Sequence, residues 1–132
     1  MKPELVIVHV EGLVFGALAV LYAFDPATTA YFPSCPFFHL TGWYCPGCGT
    51  LRAVHALLHG HVGRALHDNP FTLAAGSGMA AAAAIDRMRG SGTPGALAQL
   101  TSPPALAILA VAAVAFGFAR NVPIQPFLWM TP

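Results

Sequence analysis

Charge is scarce in this sequence. Only 8% of its 132 residues are Asp, Glu, Lys or Arg, against roughly 25% in an ordinary soluble domain. Hydrophobic residues make up 56% and mean hydropathy is +0.64. A globule this apolar has too few ionic side chains to cover its outside, so the composition predicts that lipid covers much of the surface. Length limits the chain to one domain, 1–132. Six basic and five acidic residues give a formal net charge of +1. That leaves no basic stripe to neutralise a run of phosphates, and nucleic acid is excluded as a partner.

A bilayer core of about 30 Å needs about 20 mostly apolar residues in a helix. Three stretches approach that length, at about 5–24, 70–86 and 103–119. The first stops where Asp25 and Pro26 bring back charge and remove a backbone donor. The second has Asn69 placed as N-cap and Pro70 as first helical residue, and it closes on Arg87 and Arg89. The third lies between Pro103 and Arg120. The expected class is therefore all-α and integral to the membrane, with three transmembrane helices.

A cleaved signal peptide would also begin with Lys2 and an apolar run, but Glu4, His9 and Glu11 interrupt that run and no small-x-small cleavage site follows it. His9 and Glu11 are two residues apart and point to different sides of a helix, so they read as side chains snorkelling to the interface. A soluble bundle would need a polar face that the third stretch lacks. Lys2, Arg87 and Arg89 fall on one side and Arg52, Arg64 and Arg120 on the other, which is a tie by count. The short-loop position of Arg87 and Arg89 favours a cytoplasmic N-terminus and an extracytoplasmic long loop.

That loop, 25–69, holds all three cysteines and five of the six histidines. After CPGCG, apolar residues recur at Leu51, Val54, Leu57 and Leu58, the spacing of an amphipathic helix, with Gly60 as its stop. Val62 to Leu66 reads as a second short piece, giving one or two short amphipathic helices. Tyr31, Phe32, Phe37, Phe38, Trp43 and Tyr44 have the amphipathic character of residues at headgroup level, so the loop is expected at the interface.

The stretch CPFFHLTGWYCPGCGTLRAVHALLHG, the Asn69-Pro70 corner and the late Ala119 to Pro123 segment, ARNVP, resemble an uncharacterised bacterial family of small polytopic membrane proteins. That family is a domain of unknown function marked by a CPGCG-x-x-R signature. This sequence departs from the usual pattern in having Leu51, not a hydroxyl residue, directly before Arg52. The resemblance implies a multi-pass protein of the bacterial inner membrane and carries no established activity.

Three readings of CPGCG stay open. Cys45 and Cys48 form a C-x-x-C at a helix start, where unpaired N–H groups favour thiolate, and Arg52 one turn on adds positive charge. That would suit thiol-disulfide exchange, although the usual βαβ companion pattern is missing. Alternatively Cys35, Cys45 and Cys48 are three metal ligands with His39 or His55 as the fourth, a set suited to tetrahedral zinc. Thirdly, the cysteines are structural: Cys35 pairs with Cys45 or Cys48 if the loop faces an oxidising compartment, or all three are small buried hydrophobes, and Pro46, Gly47 and Gly49 fold the loop tightly with Arg52 bonding its carbonyls.

Small-xxx-small pairs, Gly12 with Gly16, Ala74 with Gly78 and Gly76 with Ala80, favour close helix contact within the chain or with a membrane-protein partner. The sequence has no phosphate-cradling glycine loop, no Ser/His/Asp set and no paired carboxylates at catalytic spacing. These absences and the small size argue for an accessory or assembly subunit over an autonomous catalyst.

Overall fold

The computed structural model describes residues 3–29, 32, 34–90, 95–123 and 129, with side chains from residue 9 onward. Lys2, Tyr31 and the side chain of Glu4 lie outside the described residues. Every regular element among the described residues is helical: α1 (Pro3–Ala23), α2 (Pro36–Thr41), α3 (Thr50–Leu58), α4 (Val62–Asp68), α5 (Pro70–Arg89), α6 (Ala96–Leu100) and α7 (Pro103–Ala119). The long loop thus holds three short helices, not one or two. The additional one, α2, lacks an amphipathic period. Its ends define it: Pro36 starts it without needing an N–H, and Gly42 at φ 73° ends it. The end of α3 is a Schellman motif, with Gly60 N–H on the Leu57 carbonyl at 2.9 Å and His61 N–H on that of Ala56 at 2.8 Å.

The all-α class stands, but among the described residues no helix is long and apolar enough to cross a membrane, so the three expected spans are not shown by these helices. The 17 residues of α7 rise only about 25 Å. The 20 residues of α5 have the length, but Gly76, Ser77 and Gly78 dilute them and Asp86, Arg87 and Arg89 close them. For α1, side chains are described only from His9 onward.

The long helices converge at one end on the cysteine-bearing segment. His55 Nδ1–H of α3 donates to the Leu21 carbonyl near the end of α1 at 2.6 Å. Thr50 meets Thr72 of α5, hydroxyl to hydroxyl, at 2.8 Å. Phe71 of α5 stacks on Phe116 of α7 at 5.5 Å. At the other end Arg87 reaches Glu11 at 3.4 Å, and the Asp86 carboxylate accepts the N–H groups of Ala96 and Leu97 at 2.6 and 2.9 Å, tying α6 back to α5.

The apolar core is a small cluster of Ala53, Ala56 and Ala65, flanked by Leu73. It sits where α3 and α4 turn back on each other, because methyl side chains let the two backbones approach. By contrast the largest fully buried side chains are Arg120 and Asn69. On α7, Ile108, Val111, Val114 and Phe118 are 64% to 71% exposed. The interior is polar at the convergence point and the outside is apolar.

Candidate metal centre

The three cysteines come from two turns. Cys35 precedes α2, and Phe38 of that helix stacks on Tyr44 at 4.7 Å, which folds the segment back so that Cys35 faces the CPGCG turn. Cys45 and Cys48 lie in that turn, and Gly49 at φ 84° carries the chain into α3 through the left-handed region, where other residues are strained. The Sγ atoms of Cys35 and Cys45 are 3.4 Å apart, and those of Cys45 and Cys48 3.1 Å. All three lie within 4.8 Å of one another as free thiols. Zinc–sulfur bonds of about 2.3 Å at tetrahedral angles separate ligand sulfurs by about 3.8 Å. To surround one ion the Cys35–Cys45 and Cys45–Cys48 separations would open by about 0.4 and about 0.7 Å.

A polar frame grips the turn by its backbone. Asn69 Nδ2 donates to the carbonyls of Pro46 and Cys48 at 2.9 and 3.1 Å, while its Oδ1 accepts Thr72 N–H at 3.0 Å and so caps α5. Arg120, 1% exposed, donates from its two terminal nitrogens to the Cys48 carbonyl at 2.8 Å and the Asp68 carbonyl at 3.3 Å. Asn121 pairs with Tyr44 in both directions, at 2.8 and 2.9 Å. Gly117 lets α7 approach so closely that an added Cβ would lie 2.8 Å from Pro46 Cγ.

The electrostatics of the trio are uneven. Burial, reinforced by hydrogen bonds with the Cys45 and Cys35 thiols, pushes the Cys48 thiol up to about 12. This opposes the thiolate expected at a helix start, because desolvation outweighs the helix terminus here. Cys35 is held below its ordinary value, chiefly by the Phe38 backbone N–H. Burial pulls the Arg120 guanidinium down, and the Cys48 and Cys45 sulfurs push it back up. Among the described residues no carboxylate forms an ion pair with Arg120. Its Nε and one Asp68 carboxylate oxygen are buried without a hydrogen-bond partner.

No histidine joins the trio among the described residues. His39 is exposed on α2, edge-on to Phe38. His55 lies tilted against His59, with ring centroids 4.4 Å apart, and spends Nδ1 on α1. The arginine that bonds the loop carbonyls is Arg120, not Arg52. Arg52, half-buried, instead lines a cavity of about 550 Å³ beside all three cysteines. Arg120 and Asn121 were visible in sequence as the polar end of an apolar run and within the ARNVP segment that carries part of the resemblance. Their role depends on where α7 ends in space.

Fold and site together define an all-helical protein with a three-thiol centre framed by buried polar side chains. Residues 35–83 match the family described as Protein of unknown function (DUF2752), a stretch that contains all three cysteines, Arg52, Asn69 and Pro70. The resemblance to an uncharacterised family is to this one, and the Ala119 to Pro123 segment lies outside the matched residues. No curated protein and no solved structure matches the chain.

Proposed function

We propose that Cys35, Cys45 and Cys48 bind a soft divalent metal ion, zinc first, in a membrane-embedded accessory protein. The observation that carries the reading is three thiols within 4.8 Å of one another, beside a buried guanidinium that forms no ion pair with a carboxylate among the described residues. A lone buried charge is expensive unless compensated. Three thiolates around a divalent ion carry one net negative charge, which Arg120 balances. Thiol-disulfide exchange at Cys45 and Cys48 is less favoured, because a redox pair needs two thiols whereas a third, Cys35, lies within 4.8 Å of both. The test is elemental analysis of protein purified in detergent and reconstituted with zinc. One zinc per chain is expected, lost in Cys45→Ser and Cys48→Ser. Zinc at well below one per chain in the unaltered protein would overturn the reading.

Lipid is the proposed surround because α7 is apolar on all sides and because α1 and α7 expose Leu13, Phe15, Ile108 and Val111. An added methyl at Gly12, Gly16, Gly76 or Gly78 would meet nothing within 4 Å, so these small-residue faces are available to a partner helix in the bilayer. The proposed orientation in the bacterial inner membrane places the N-terminus in the cytoplasm and the thiols outside. A membrane-impermeant maleimide should label metal-free protein on intact cells, and labelling only after lysis would reverse the orientation.

A further inference from the structure

The metal reading leaves one coordination position to be filled, and resting on that reading we infer that the centre is open: its fourth ligand is a small-molecule thiolate that enters through the Arg52 cavity. Ligand number is the first argument. Structural zinc sites close with four protein donors, whereas sites that work on a ligand keep three and leave one position free. Among the described residues only the three thiols come together. His55, a candidate fourth donor in sequence, is turned to the Leu21 carbonyl at 2.6 Å.

Access is the second argument. The cavity of about 550 Å³ is lined by Cys35, Cys45 and Cys48 on one side and by Thr28, Ser34 and Arg52 among its other residues. It therefore reaches the sulfurs directly and holds a molecule of several heavy atoms. Among the described residues no acidic side chain lines it.

Charge is the third. Arg120 lies behind the trio, buried and bonded to the Cys48 carbonyl at 2.8 Å, and Arg52 lies in front of it, in the cavity wall. A divalent ion with three thiolates carries one negative charge and is matched by Arg120 alone, leaving Arg52 uncompensated. A fourth thiolate brings the centre to two negative charges, which the two guanidiniums balance. A soft donor also suits an ion already held by sulfur. A neutral donor such as imidazole would leave Arg52 without a counter-charge.

The experiment uses the full chain in detergent, loaded with cobalt(II), whose d–d absorption reports the donor set. It is titrated with 2-mercaptoethanol and the signal is normalised to bound cobalt. A saturable shift towards the four-sulfur spectrum is expected. In Arg52→Gln the apparent affinity for the thiol should be about five-fold weaker, the size of one partly exposed ion pair. Affinity for imidazole, titrated in parallel, should not depend on residue 52. If cobalt does not bind at all, the metal reading fails and this inference falls with it. Bound cobalt whose absorption ignores the thiol, or responds equally in Arg52→Gln, overturns the inference and leaves the metal reading standing.

Discussion

Asn69 has no solvent exposure and spends its amide on two loop carbonyls and its oxygen on the first turn of α5. Asn69→Ala removes a helix cap and leaves the Pro46 carbonyl without this donor. It should lower stability by about 2–3 kcal/mol, read as an earlier unfolding midpoint in detergent, and weaken metal binding because the turn loosens. Cys48 sets a pH dependence. In the unfolded chain its thiol ionises near 9.0, and in the folded, metal-free protein near about 12. Between those values the unfolded state holds fewer protons than the folded one, so stability contributed by the neutral thiol is full below pH 9 and is lost as pH rises towards 12. Thermal unfolding of metal-free protein should show this alkaline loss, and Cys48→Ala should show less of it. Metal binding must displace the thiol protons, so zinc affinity should fall as pH is lowered, with proton release measurable on titration.

At the scale of elements, α3 was legible from Leu51, Val54, Leu57, Leu58 and the Gly60 stop, because local periodicity and a left-handed glycine are local properties. The face it buries was not legible. Ala53 and Ala56 point inward, while Leu51, Leu57 and Leu58 are exposed, the reverse of a helix in a water-soluble fold. The docking of α7 was equally hidden, since Gly117 matters only because Pro46 sits against it. Gly117→Ala should push α7 from the turn and destabilise by about 1–3 kcal/mol. Pro46→Ala in the same chain should recover part of that loss, because it removes the ring atoms the new methyl meets. Failure of the double variant to recover any stability would mean that the two residues do not press on each other. The short α6 escaped sequence reading because Asp86, ten residues earlier, supplies the acceptors for its first N–H groups.

At the scale of the whole molecule, the outside of the described residues is rich in large aliphatic and aromatic side chains, Leu13, Phe15, Ile108 and Val111 among them. The isolated chain should therefore not stay monodisperse in plain buffer. Sedimentation without detergent should give aggregates or a tightly associated oligomer, and a single monomeric species would remove the case for a lipid surround. The match over residues 35–83 takes in the cysteine turn, α3, α4 and most of α5. The frame that holds the turn extends beyond it, through Arg120 and Asn121.

By itself the sequence determined the helical class, the starts and stops of the longer helices and the presence of a cysteine-rich turn, because these follow from hydrophobic content, proline and glycine placement and residue spacing. Only the tertiary structure decided that Cys35 joins Cys45 and Cys48, that no histidine completes the set among the described residues, and that Arg120, seventy-two residues from Cys48, holds the turn from behind. Contacts between distant parts of a chain depend on how helix ends meet in space, and neither composition nor local period encodes that meeting.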